Sequence, residues 1–311
     1  MKKVLVVLAL LLSLVGCQSE KKITVGVIQL VKHDALDAAT NGFVDALNEE
    51  FKDDIVIDVQ NASGDSATCA TIATNFVADG YDLIMANATP ALQAAAHATD
   101  SIPVLGTSVT EYGVALDIDN FSGTVGTNVS GTSDLAPLDE QAQMILDLLP
   151  NTKTVGLLYC SGEPNSLYQV KVVNDILEAR GLTVSAYSFS DSNDVASVAA
   201  QACSEVDTLY VPTDNTCASN GEVIKSAAEQ NNVPIIVGEK ECCLSVGGLA
   251  TLSIDYYELG KTTGQMAIKI LKGEDVTKMP IEYYPEPVKM IDTEKAKLFG
   301  VEVPSDFVAL Q

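Results

Sequence analysis

The stretch ITVGVIQLVKHDALDAATNGFVDAL, residues 23–47, carries the pattern on which the rest of the chain is built. Its first six residues form a short apolar run rich in β-branched side chains, the composition of a strand buried on both faces. After a polar break, Leu36, Ala39, Phe43 and Leu47 recur at intervals of three and four, which sets them on one face of a helix. A buried strand leading directly into an amphipathic helix is half of a parallel βαβ unit. Further strand-like runs follow at 55–59, 83–86 and 103–107, and a second set at 154–159, 183–187, 208–211, 234–237 and 249–254. Helical periods lie between them; Leu167, Val170, Val173 and Leu177 repeat the spacing of the first. Asp34 and Ser66 stand where helix caps belong, and Gly181 where a helix stops.

Two sets of units predict an α/β protein of two lobes, each a doubly wound parallel sheet with helices on both faces. A length of 311 residues fits two such domains. The Gly-, Ser-, Thr- and Asn-rich stretch 121–134 reads as the first crossing between lobes. A long helix at about 256–272 comes late, and Pro280, Pro285 and Pro287 mark another crossing. The expected division is 23–130 with 255–282 for the first lobe and 131–254 with 283–311 for the second. Several crossings make a hinge, with a ligand cleft between the lobes.

The chain has 18 Lys and Arg against 42 Asp and Glu, a formal charge of −24. That balance excludes counterion-driven nucleic-acid binding and docking on anionic lipid through a basic patch. Residues 1–16 read as a secretory signal, with Lys2 and Lys3 ahead of an apolar run at 4–12. Leu14-Val15-Gly16-Cys17 resembles the lipobox of bacterial lipoproteins. Cys17 is therefore expected to carry lipid, with 17–22 as a tether. The other six cysteines have neither disulfide-framework nor zinc spacing. No metal site and no cofactor are expected.

In open α/β sheets ligands bind beyond the carboxyl ends of the strands, so the segments after each strand are the ones to read for chemistry. They supply Gln29 and His33, Thr89, Thr107 and Thr110 from the first lobe. The second lobe supplies Glu163 and Asn165, Asp214 and Asn215, and Glu239, and Asp255 follows the last strand. Hydroxyls and free N–H groups at helix starts suit a carboxylate. Glu163 and Asp214 suit an ammonium group, or alternatively an acid/base pair as in sugar hydrolysis. Asp214 is the expected ammonium partner, with helix capping as its competing role. Tyr159 and Tyr168 are candidates for stacking. No G-x-S-x-G elbow, Walker A loop or H-E-x-x-H occurs, and the chain holds two histidines, His33 and His97.

Several of these segments also carry a resemblance. Residues 23–42, with Gln29, His33 and Asp37, are similar to the opening of one family of bacterial ABC-transporter substrate-binding lipoproteins, those of tryptophan, tyrosine or phenylalanine uptake. Gln60-Asn61-Ala62-Ser63-Gly64-Asp65, Ala88-Thr89-Pro90-Ala91, Asn128-Val129-Ser130-Gly131, Gly162-Glu163-Pro164-Asn165-Ser166, Pro212-Thr213-Asp214-Asn215-Thr216 and Asp255-Tyr256-Tyr257-Glu258-Leu259-Gly260 follow in family order. One departure is Val109-Thr110-Glu111-Tyr112, where the family usually reads Val-Thr-Asp-Pro. The resemblance implies a type I periplasmic-binding fold and a non-enzymatic protein that captures an aromatic amino acid between closing lobes. It also implies an ABC permease and ATPase as partners. The protein itself would be a monomer, lipid-anchored outside the cytoplasmic membrane, or in the periplasm or outer membrane of a diderm host. A ligand-sensing receptor of the same fold, feeding a signalling partner, is the alternative.

Overall fold

The computed structural model describes residues 22–311. The expected signal segment, Cys17 and all of the tether but Lys22 lie outside the described residues.

The first lobe runs β1 (Ile23–Gln29), α1 (Asp34–Phe51), β2 (Ile55–Asn61), α2 (Ser66–Ala78), β3 (Leu83–Asn87), α3 (Thr89–Ala98), β4 (Val104–Val109), α4 (Tyr112–Ala115) and β5 (Val129–Ser133). The second runs α5 (Leu138–Leu148), β6 (Thr154–Cys160), α6 (Pro164–Ala179), β7 (Thr183–Phe189), α7 (Val195–Glu205), β8 (Thr208–Val211), α8 (Asn215–Ser219), α9 (Gly221–Asn231), β9 (Ile235–Val237), α10 (Lys240–Ser245) and β10 (Ala250–Ser253). Then come α11 (Tyr256–Leu271), β11 (Glu282–Tyr283), β12 (Val288–Ile291), α12 (Thr293–Phe299) and β13 (Val308–Ala309). One sheet has the order β11-β5-β4-β3-β1-β2, the other β13-β12-β10-β9-β8-β6-β7. Every pairing is parallel except β10 with β12.

Leu36, Ala39, Phe43 and Leu47 of α1 are all buried. Burial of side chains as large as Leu or Phe is worth about 1.5–3 kcal/mol each. On α6 the apolar face is Val170, Val173 and Leu177, whereas Leu167 is 44% exposed. Two caps differ from the expectation by one residue. Asp65, not Ser66, caps α2 by accepting from Thr68 N–H at 2.5 Å. His33 stands at the cap position of α1, and Asp34 is its first helical residue.

The strands β5, β11, β12 and β13 have no counterpart among the strand-like runs of the sequence, and they move two boundaries. Residues 129–133 form a strand of the first sheet, so the first crossing follows Ser133; a boundary after 130 would cut β5. The last crossing lies between Tyr283 and Val288, since β11 pairs with β5 while β12 pairs with β10. The sequence VSGTS hides β5 because it has one apolar side chain of any size. Small residues are required there: a Cβ on Gly131, whose φ is +145°, would lie 2.1 Å from Gly106 O.

Helix α11 returns to the first lobe and lies against α1. Met266, Ala267 and Ile270 join Phe43 and Leu47 in one apolar cluster. Nearer the hinge the two backbones touch. A Cβ on Gly42 would meet Tyr257 O at 2.1 Å, and one on Gly260 would meet Ala39 O at 1.9 Å. Only glycine permits that approach.

Candidate functional site

The carboxyl ends of β1, β4, β6, β8 and β9 converge on a narrow pocket between the lobes, with a cavity volume of about 10 Å³. The first lobe brings His33 and Leu36 from the start of α1, and Ser108 and Thr110 from the end of β4. The second brings Asn165, Asp214, Asn215 and Glu239, and the hinge brings Asp134 and Tyr256.

Ser108 reaches the pocket through a local distortion. Its φ is +53°, in the left-handed region, and the β4–β5 register shifts between Gly106 and Val109. A bulge of this kind re-aims a side chain at the cost of backbone strain. The Ser108 hydroxyl is buried with no partner in the protein.

Three buried carboxylates, Asp134, Asp214 and Glu239, line the pocket, and among the described residues no lysine or arginine does. Their surroundings differ. Asp214 accepts from Cys217 N–H at 2.8 Å through Oδ1, and from Cys160 N–H and Ser166 Oγ, each at 2.7 Å, through Oδ2. It therefore caps α8 and ties α8 to the ends of β6 and α6. Burial, and then the charge of Glu163, raise its proton affinity. Glu239 caps α10 by accepting from the N–H groups of Glu241 and Cys242; burial pushes it up to about 8. Asp134 accepts from Tyr256 Oη at 2.9 Å through Oδ2, while Oδ1 has no partner. Burial pushes Asp134 up to about 6, opposed by the hydroxyls of Tyr256 and Thr110.

Glu163 stands behind the pocket wall. Its Oε1 accepts from Thr216 N–H and Oγ1, and its Oε2 from Asn215 N–H, Asn215 Nδ2 at 2.6 Å and Asn165 Nδ2. The amide of Asn215 then turns its oxygen toward the other lobe, where it lies 3.2 Å from His33 Nε2. This hydrogen bond joins the two lobes directly across the cleft.

The other expected residues lie elsewhere. Gln29 is committed inside the first lobe: its amide nitrogen donates to Val31 O and Asp37, and its oxygen accepts from Thr40. Thr107 packs in a buried hydroxyl cluster with Thr132 and Thr263. Thr89 begins α3 and is buried, its hydroxyl without a partner. Asp255 is exposed and caps α11. Tyr168 borders a shallow outer groove with Leu135, Val172 and Ile176 rather than the cleft, and Tyr159 packs on the second lobe's core. Neither stacks in the pocket, whose aromatic residue is Tyr256.

Besides the apolar Ala35, Leu36 and Ala218, four pocket residues lie outside the sequence-based candidates: Ser108, Asp134, Thr213 and Tyr256. Asp134 follows β5, so the rule applied to the other strands would have found it had β5 been legible. Tyr256 stands in one of the family-like segments but carried no assigned role.

Among the described residues no group of three or more His, Cys, Asp or Glu side chains is placed to hold a metal ion. What the pocket offers is a set of buried carboxyl groups beside neutral hydroxyls.

Comparisons with known proteins agree on its kind. Residues 24–310 match the family described as ABC transporter substrate binding protein. A protein of Clostridioides difficile (strain R20291) named tyrosine-binding protein is 37% identical over 290 residues, covering 91% of this chain and 83% of that one. The ABC domain of Streptococcus pneumoniae solved in complex with L-Trp superposes with a TM-score of 0.86 at 35% identity, over 91% of this chain and 96% of that one. The ligand-free, open form of a substrate-binding protein with adhesive properties from Clostridium difficile gives 0.68 at 37% identity, over 93% and 100%. Identity is slightly higher in the second case and the fit is poorer. The whole-chain fit is thus better to the ligand-bound relative than to the open one.

Proposed function

Because this chain belongs to the ABC transporter substrate-binding proteins, we propose that its interlobe pocket captures a zwitterionic aromatic amino acid, with Asp134 as partner of the ammonium group. The fold is that of the type I periplasmic binding proteins, and the family binds solutes for a permease and its ATPase. The observation that carries the reading is the bare Oδ1 of Asp134, in a wall of three buried carboxylates with no facing cation. Burial of uncompensated negative charge is costly, and an ammonium group relieves it. Such a wall repels dicarboxylates and phosphates. The ligand's own carboxylate is matched by a neutral donor, the unpartnered hydroxyl of Ser108. Ala35, Leu36, Ala218 and Tyr256 supply apolar contact for a side chain. The relatives named for tyrosine and solved with L-Trp favour the aromatic class.

The finer placement follows from the N-terminal sequence. Lipid on Cys17 holds the domain outside the cytoplasmic membrane, beside its permease, as a monomer. Cys17→Ser is expected to move the protein from the membrane fraction to a soluble or uncleaved form without changing ligand affinity; retention in the membrane would refute the anchor.

Ligand identity is tested by mass spectrometry of what the purified protein releases on denaturation, with melting curves against the amino acids. Tyrosine or tryptophan at a hundred times its dissociation constant stabilises the folded state by about 2.7 kcal/mol. Stabilisation by leucine, sugars or nucleosides, with no response to any aromatic amino acid, would refute the assignment.

A further inference from the structure

The pocket has two polar ends, and the proposed ammonium site uses one of them. Asp134, Thr110 and Tyr256 form the hinge end. The other end is built by the Glu163 network, which places two more unpartnered buried atoms on the pocket: Asn165 Oδ1 and His33 Nδ1.

The orientation of both is fixed by hydrogen-bond logic. Asn165 Nδ2 faces three oxygens, Glu163 Oε2 at 3.2 Å, Thr213 O at 3.1 Å and Ser166 Oγ at 3.3 Å. Reversing that amide would set its oxygen against a carboxylate and a carbonyl, so Oδ1 stays toward the pocket as an acceptor. The same reasoning fixes the histidine. Asn215 Nδ2 is held by Glu163, so Asn215 Oδ1 takes the hydrogen of His33 Nε2. Burial keeps the imidazole neutral, and a neutral ring protonated on Nε2 has a bare acceptor at Nδ1.

Resting on the ammonium site described above, we infer that His33 Nδ1 and Asn165 Oδ1 are a specificity-determining acceptor pair that selects amino acids bearing a hydrogen-bond donor on the side chain. A phenol O–H or an indole N–H satisfies it. A phenyl ring leaves both acceptors buried and unpaired, which is the costly outcome. Phenylalanine is therefore rejected although it differs from tyrosine by one oxygen. The asymmetry suits such a site, because a pocket that hydrogen-bonds a substrate group discriminates strongly against the analogue that lacks it. The histidine comes from one lobe and the amide that sets its tautomer from the other, so the pair is complete only when the lobes close.

The test is calorimetric titration of the unaltered protein at pH 7.5 with tyrosine, phenylalanine, 4-fluorophenylalanine and 4-aminophenylalanine. Tyrosine and the 4-amino compound, which carry a donor, are expected to bind roughly 10- to 100-fold tighter than phenylalanine and the 4-fluoro compound. In Asn165→Leu the gap between tyrosine and phenylalanine is expected to shrink to about threefold or less, by loss of tyrosine affinity. Phenylalanine binding within about threefold of tyrosine in the unaltered protein would overturn the inference and leave the aromatic ligand class standing. So would a folded Asn165→Leu that keeps the full gap. Should that variant fail to fold, the four-ligand series decides alone. If none of the four binds, the proposed ligand class fails, a result distinguishable from the others.

Discussion

Asp214 and Asp134 are both buried aspartates on the wall of one pocket, and they mark two regions of different use. Around Asp214, at the carboxyl end of β8, three protein donors fill the carboxylate, and the side chain holds α8, β6 and α6 together. Around Asp134, at the hinge, the Tyr256 hydroxyl bonds one oxygen, the Thr110 hydroxyl lies near, and Oδ1 has no partner within hydrogen-bond distance. Position after a strand, burial and charge are common to both. What separates a structural acid from a ligand-binding one is the hydrogen-bonding capacity left over after folding. A buried acceptor left unpaired costs stability in the empty protein, and a ligand's donor recovers it.

That contrast can be broken in order of expected effect. Asp134→Asn removes the charge facing the ammonium and should weaken binding by about 2–5 kcal/mol, roughly 30-fold to a few thousand-fold in Kd, with little loss of melting temperature. Calorimetric titration beside a melting curve checks both halves; unchanged affinity would make Asp134 structural. Asp214→Ala should show the reverse. Loss of the cap and the cross-link is expected to cost on the order of 1–3 kcal/mol of folding stability while Kd moves by no more than about threefold. A large affinity loss without destabilisation would restore Asp214 as the ammonium partner.

Proton linkage sharpens the comparison further. The folded-state values for Asp134, about 6, and Glu239, about 8, lie above their ordinary 3.8 and 4.5. The folded protein therefore holds protons that the unfolded chain has lost, and these groups favour folding least once they ionise. Stability without ligand should decline as pH rises from about 4 to about 8. Ligand affinity should move the other way, weakening by up to about tenfold per pH unit below 6 as Asp134 takes a proton. Titrations between pH 5 and 8 check this, and affinity independent of pH would remove Asp134 from the site.

The strand pattern was legible because bulky β-branched runs alternate with helical periods, as at 23–47. The failures share a cause. VSGTS carries almost no hydropathy signal, so the sequence presents β5 as part of a crossing and gives no sign that Asp134 beyond it is a strand-end residue. Nothing in the sequence singles out Ser108 between Thr107 and Thr110, because a positive φ inside a strand is invisible in composition. Gln29 and Thr107 were plausible by position, yet Thr40 and Asp37 engage one, and Thr132 and Thr263 the other. Whether a polar side chain faces the ligand depends on its neighbours in space, and those come from residues up to 156 positions away.

The direct backbone contact at Gly42 and Gly260 has a mechanical consequence. Helix α11 follows the second passage between lobes, and seated on α1 it moves with the first lobe as one lever. Rotation of one lobe on the other is then confined to three short straps, 134–137, 254–255 and 284–287. Asp134 is in one strap, and Tyr256, its partner, stands immediately beyond another. The proposed ammonium partner thus sits on the axle, where its surroundings change least as the jaws swing. The acceptors His33 and Asn165 ride at the far ends of the levers and meet only at the end of the stroke. A solute would be caught first at the pivot and inspected last at the tips.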